Sequence, residues 1–182
     1  PVDFHLGGLR TLGAEIELKE GYIHARAPGG VVGGHILFPS ISGGAAENLL
    51  MAAVLVKGES QIANAARQPD VADLAPCLVA MGAKISGIGT RTLTIEGVER
   101  LHGATVDVIP DRIETGTFAM ATAMTGGNVL LKGARPEHLQ AALDILARTG
   151  VELTVEPNQG HRLRAAELDL SRRLFEEIES CR

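Results

Sequence analysis

The chain has 182 residues, a formal net charge of −5 and 45% hydrophobic residues, enough for one large or two small domains with a true core. Trp is absent, there are only four Phe and one Tyr, and no basic block offsets the acidic balance, since Arg172-Arg173 is a mere doublet. A nucleic-acid partner is not expected, because stacking platforms and a phosphate-tracking surface are both lacking, and the core must be built from Ala, Val, Leu and Ile.

Residues 1–35 read as a helix end, a glycine and two strands around Glu20-Gly21. A helix of small residues then runs over Ala45–Val56, capped by Ser42 and ended by Gly58. Its apolar run, Asn48 to Val56, is far too short to span a bilayer. A strand at Ser60–Ala65 leads to a second helix, with Pro69 and Asp70 in its first turn and Val71, Leu74, Leu78 and Met81 at helical spacing. Gly82 stops it. Strands are expected at Ala83–Ser86 and Arg91–Glu96, where Leu93 and Ile95 alternate with threonines, and again at Thr105–Ile109. The same order returns: helix Glu114–Met124, strand Asn128–Lys132, helix Pro136–Arg148, and strands Val151–Val155 and Arg162–Arg164. Glu167–Arg182 reads as an amphipathic helix with Leu170, Leu174, Phe175 and Ile178 as its stripe.

That return is an internal repeat. Leu12-Gly13-Ala14-Glu15-Ile16, Met81-Gly82-Ala83-Lys84-Ile85 and Thr149-Gly150-Val151-Glu152-Leu153 align at offsets of 69 and 68 residues. The same offset relates Ala66-Arg67-Gln68-Pro69 to Ala134-Arg135-Pro136, the run Glu47–Val54 to Thr115–Thr122, and Gly58 to Gly126. The fold class is α/β (α+β): repeated βαβαββ units, about two and a half copies. Repetition alone is also compatible with a scaffold that does no chemistry. A chain that opens mid-repeat, and with Pro rather than Met, reads as an internal piece of a longer protein.

The strings Pro1-Val2-Asp3-Phe4-His5, Asn64–Pro69, Met81–Gly87, Ile95–Glu99 and above all Pro110-Asp111-Arg112-Ile113-Glu114-Thr115-Gly116-Thr117-Phe118 resemble the UDP-N-acetylglucosamine 1-carboxyvinyltransferases, over about residues 1–165. The resemblance implies an inside-out α/β barrel in which three units form a domain and two domains clamp the substrates. Residues 1–109 would be the later part of one domain, with a half unit at 1–35 and a full unit at 36–109. Residues 110–165 would be a unit of the other, and 166–182 a divergent end. The implied reaction moves enolpyruvate from phosphoenolpyruvate to the 3-hydroxyl of UDP-N-acetylglucosamine, a peptidoglycan precursor, with release of phosphate. It needs proton transfers and cationic clamping of phosphate, and implies no metal or organic cofactor. The sister enzyme of the shikimate pathway shares the repeat, but the Pro1–His5 and Pro110–Phe118 strings resemble the UDP-sugar branch.

Site residues follow from the resemblance. Pro1, Val2, Asp3, Phe4 and His5 would line the uracil pocket on a turn, with Asp3 reading the base edge and His5 either ordering that turn or facing the ligand. Ser40, Ile41, Ser42 and Gly43 match a further nucleotide-sugar segment, a helix start suited to a diphosphate. The family commonly has Lys where this chain has Ser40, so one cation is missing. Asp111, Arg112 and Glu114 would form the interdomain hinge. The family's reactive Cys, its phosphoenolpyruvate-gripping Arg and its Lys-Asn pair would lie before Pro1, and its general-base Asp after about residue 180. No catalytic residue is therefore assigned, and the isolated chain is expected to be inactive. The alternative is a truncated nucleotide-sugar-binding or structural module without catalysis. Cys77 sits at helical spacing with Leu74 and Leu78 and reads as a packing thiol. Cys181 reads as exposed and inert, and the two make no disulfide framework. His5, His24, His35, His102, His138 and His161 lack metal-ligand spacing. No signal segment opens the chain, so a cytoplasmic protein is expected. An uncovered half-repeat should favour self-association.

Overall fold

The computed structural model describes residues 2–156 and 160–164. The chain divides into two compact units, Pro1–Val108 and Ile109–Arg182.

In the first unit, α1 (Asp3–Thr11) is followed by the hairpin of β1 (Glu15–Lys19) and β2 (Tyr22–Arg26). The two strands pair antiparallel with Lys19 opposite Tyr22, so Glu20 and Gly21 alone make the turn. Both have positive φ, 53° and 81°, the geometry that matches the twist of a two-residue hairpin. Then come β3 (His35–Leu37), α2 (Gly43–Ala53), β4 (Glu59–Ala63), α3 (Pro69–Ala80), β5 (Lys84–Ser86) and β6 (Thr92–Glu96). This is one complete βαβαββ unit. Its sheet has the order β3-β4-β6-β5, with β3 parallel to β4 and the other neighbours antiparallel.

Burial explains the elements. Ile62 on β4 and Leu93 and Ile95 on β6 point inward at alternate positions, as a half-buried sheet requires. Ala45, Ala46, Leu49, Leu50 and Ala53 of α2 are all buried, and α2 packs between α1 and α3. Small residues let three helices approach one sheet without aromatic bulk.

The second unit holds α4 (Arg112–Thr125), β7 (Asn128–Lys132), α5 (Gln140–Arg148), β8 (Glu152–Glu156) and β9 (Gly160–Arg164). Its sheet order, β7-β9-β8, reproduces β4-β6-β5 with the same antiparallel pairings. It has its own core of Ala119, Ala123, Leu146 and Val151. The repeat is thus a repeat of structure. The three aligned glycines Gly13, Gly82 and Gly150 end their helices with φ of 93°, 103° and 93°, values that a side chain rarely tolerates.

Two expectations are corrected. No strand forms at Thr105–Ile109: residues 102–108 are exposed, and the segment lies outside every ladder among the described residues. Alternating Val106 and Val108 supply a strand pattern, but a strand also needs a partner for its backbone groups. The helix expected from Pro136 opens instead as a 3-10 turn at Pro136–His138, and α5 proper starts at Gln140. The short β3 is the leading strand that the βαβαββ order calls for before α2, although sequence assigned it no range. The helix expected over Glu167–Arg182, and Cys181 within it, lie outside the described residues. Among the described residues no helix is long and apolar enough to cross a membrane.

Candidate functional site

Within the expected turn at Pro1–His5, the residues from Asp3 onward are helical. Leu6 N–H donates to Val2 O at 3.0 Å, so Asp3, Phe4 and His5 form the first turn of α1. Leu6, Gly8 and Leu12 supply the buried face that makes the segment helical. Asp3 at the helix start is favourable with the helix dipole, and its carboxylate remains exposed. Pro1 lies outside the described residues.

The segment leading into α2 is fixed by its neighbours. Phe38 is buried, its N–H donates to Ala63 O at 3.2 Å, and its carbonyl accepts from Asn64 Nδ2 at 3.0 Å. Its ring packs on Phe4 with centroids 6.1 Å apart. These ties lead the chain through Ser40 and Ile41 to Ser42. Ser42 is the N-cap of α2, and its Oγ accepts from Ala45 N–H at 3.3 Å. The first intrahelical bond is Ala46 N–H to Ser42 O, 3.1 Å, which leaves the N–H groups of Gly43 and Gly44 at the helix mouth.

The two segments converge. Asp3, Phe4, Ser40, Ile41 and Ser42 line one cavity of about 310 Å³. A carboxylate, an aromatic edge, two hydroxyls and a helix start are a donor and acceptor set that can hold a polar ligand with an apolar face and an anionic group. Larger hollows of 460 Å³ beside the β1–β2 hairpin and 400 Å³ over β5 and β6 are more open surface grooves, and neither contains a residue assigned to the substrate site or the hinge from sequence. Among the described residues no three His, Cys, Asp or Glu side chains are grouped as a metal site requires.

His5 does not line the cavity. Its ring is half-buried against α2, where Asn48 Nδ2 lies 2.9 Å from Nδ1. Gly43 lies under the side chain of Gln68, whose Oε1 would be 2.2 Å from an added Cβ. Sequence gives neither Asn48 nor Gln68 a role at the site. In the string, Asn48 is a single polar residue on a helix, and Gln68 has the character of turn chemistry before Pro69. Cys77 is half-buried on α3 beside the buried Leu78.

In the second unit Asp111 is the N-cap of α4. Its Oδ1 accepts from Ile113 N–H at 2.7 Å and from Glu114 N–H at 3.0 Å. Glu114 sits exposed in the first helical turn and Arg112 is half-buried. The Asp111 carboxylate is engaged in starting the helix.

Comparisons with known proteins bear on the family and the fold. The family model of EPSP synthase (3-phosphoshikimate 1-carboxyvinyltransferase) matches residues 1–178. The UDP-N-acetylglucosamine 1-carboxyvinyltransferase of Azorhizobium caulinodans is 56% identical over 164 residues, and that of Xanthobacter autotrophicus is 57% identical over 164 residues. Each alignment covers 90% of this chain and 38% of the relative, so the chain spans well under half the length of the curated relatives it matches. Among solved structures, the enolpyruvyl transferase NikO from Streptomyces tendae matches with a TM-score of 0.74 at 22% identity, covering 91% of this chain and 42% of that one. EPSP synthase from Acinetobacter baumannii matches with a TM-score of 0.65 at 21% identity, covering 91% and 39%. The fold is the mixed helix-and-sheet fold of these enzymes, and the chain belongs to the EPSP synthase (3-phosphoshikimate 1-carboxyvinyltransferase) family.

Proposed function

We propose that these residues are part of a cytoplasmic enolpyruvyl transferase that moves enolpyruvate from phosphoenolpyruvate to the 3-hydroxyl of UDP-N-acetylglucosamine, and that the cavity at α1 and α2 takes the nucleotide-sugar. The observation that carries this is the meeting of Asp3 and Phe4 with Ser40, Ile41 and Ser42 in one cavity. The names of relatives 56% and 57% identical support UDP-N-acetylglucosamine as the acceptor and a carboxyvinyl group as the one transferred. On this reading the helix mouth at Ser42 and Gly43 takes the diphosphate and Asp3 reads the base. With Ser at position 40 the anion is met by backbone and hydroxyl donors, without a cation on that residue. Asp111, Arg112 and Glu114 act at the passage between the successive domains, holding the start of α4.

The test is a titration of the 182-residue polypeptide with UDP-N-acetylglucosamine, followed by nuclear magnetic resonance so that weak binding registers. Saturable shifts are expected at Asp3, Phe4 and Ser40–Gly43, and Asp3→Ala should weaken binding about tenfold or more, as expected for loss of a charged hydrogen-bond acceptor. No phosphate is expected to be released from phosphoenolpyruvate, because a chain covering 38% of its relatives supplies only part of a two-domain clamp. Shifts confined to other surfaces would defeat the assignment of the cavity.

We also propose that the chain self-associates through the β1–β2 hairpin. Leu18 and Ile23 stand opposite one another on one face of the hairpin and are 67% and 46% exposed, and Tyr22 on the other face is 72% exposed. Sedimentation should show a mass above that of one chain at high concentration, with Leu18→Glu shifting it toward monomer. A wild type that stays monomeric throughout would end the proposal.

A further inference from the structure

We propose that Asn48 is a positioning residue that holds neutral His5 in the tautomer protonated on Nε2, and so sets a hydrogen-bond donor beside the mouth of α2. The amide of Asn48 approaches the ring with its nitrogen: Nδ2 lies 2.9 Å from His5 Nδ1. An amide nitrogen only donates, so Nδ1 must be the acceptor and the ring proton must sit on Nε2. The other edge of the ring faces the helix start. A Cβ built on Gly44 would lie 3.8 Å from His5 Cε1 and 3.9 Å from Nε2. Asn48 and Gly44 are one turn apart on α2, so one helix both orients the ring and presents the N–H groups that the ring's donor joins. Gly44 leaves the space between ring and helix mouth open, and any side chain there would fill it.

The ligand half of this inference rests on the nucleotide-sugar reading above. With Nε2–H directed to the mouth of α2, His5 donates to a diphosphate oxygen there. An Nδ1–H ring would present a lone pair to the same oxygen and repel it.

The test uses the full 182-residue chain labelled with ¹⁵N, with long-range proton–nitrogen correlation of the His5 ring at about pH 8.5, where an imidazole is neutral. The wild type should show Nε2 protonated and Nδ1 bare. Asn48→Asp keeps the size of the side chain but offers only acceptors, and should move the proton to Nδ1. Asn48→Leu should let both tautomers populate. UDP-N-acetylglucosamine, titrated to millimolar concentration, should bind Asn48→Leu about tenfold more weakly than wild type, the effect of one misdirected hydrogen bond, and Asn48→Asp more weakly still. A wild-type ring protonated on Nδ1 overturns the proposal, as does a tautomer unchanged in Asn48→Asp. A tautomer that responds while affinity does not overturns its ligand half. The tautomer readout needs no ligand, so a silent wild-type titration defeats the nucleotide-sugar reading and leaves the role of Asn48 toward His5 standing.

Discussion

Gly97→Ala is expected to destabilise the first unit by about 3 kcal/mol, near the upper end of ordinary overpacking costs. Gly97 follows β6 directly, and its N–H donates to Gly58 O at 2.9 Å, closing the sheet against the end of α2. An alanine Cβ would lie 1.7 Å from Val56 O, 2.8 Å from Val56 C and 3.1 Å from Gly58 O. These are backbone atoms and cannot rotate aside. Val56 is itself buried at 2% exposure, and Val98 N–H donates to Val54 O at 2.9 Å, so relaxation must break one of two backbone hydrogen bonds or lift a core residue. The reduced freedom of the unfolded chain offsets only about 0.4–1 kcal/mol. The clash therefore wins. Urea unfolding followed by circular dichroism checks this against Gly103→Ala, where an added Cβ meets nothing within 4 Å. Equal midpoints in the two variants would mean that the crossing from β6 to the next segment is loosely packed.

The residues around Gly97 also show what sequence carries and what it withholds. Helices α2 and α3 were legible because their information is local: a cap at Ser42, proline and aspartate at Pro69 and Asp70, and buried residues at helical spacing. The repeat was legible because three glycines with φ near 93–103° recur at one offset. Thr105–Ile109 failed for the opposite reason. Its alternation is local, but strand formation depends on a distant partner, and the segment stays exposed. The place of β3 followed from the order of the repeat, but its range did not, since it is three residues paired with β4 on one side. At the site, the strings carrying the family resemblance pointed to two segments that the fold brings to one cavity, but not to the helix beginning at Asp3, nor to the contact of Asn48 with His5 across 43 positions. The clash that makes Gly97 irreplaceable is likewise between residues 41 positions apart, and nothing in the string Ile95-Glu96-Gly97 announces it.

The geometry of the site depends on how α1 seats on α2, and a double-mutant cycle on Gly8 and Leu49 should expose that seat. Leu49 is fully buried, and a Cβ on Gly8 would stand 2.1 Å from its Cδ1, 2.7 Å from Cδ2 and 2.9 Å from Cγ. The glycine is thus a socket for the leucine. Leu49→Ala alone should cost about 3 kcal/mol, from lost transfer energy and the cavity left behind. Gly8→Ala alone should cost about 1 kcal/mol net, since roughly 2 kcal/mol of overpacking is offset by about 1 kcal/mol of improved helix propensity. In the double variant the new methyl enters the space the leucine vacated. The pair should then cost about 2 kcal/mol, less than Leu49→Ala by itself, a coupling of about 2 kcal/mol. Additivity within about 0.5 kcal/mol would mean that the helices separate and the socket is not rigid. The same cycle reads on function, because Asp3, Phe4 and His5 ride on α1 while Ser42, Gly43 and Asn48 ride on α2. Leu49→Ala should weaken the nucleotide-sugar binding proposed above without touching the cavity, and Gly8→Ala in that background should restore part of it. Restored stability without restored binding would separate the packing of the two helices from the register their first turns need to share.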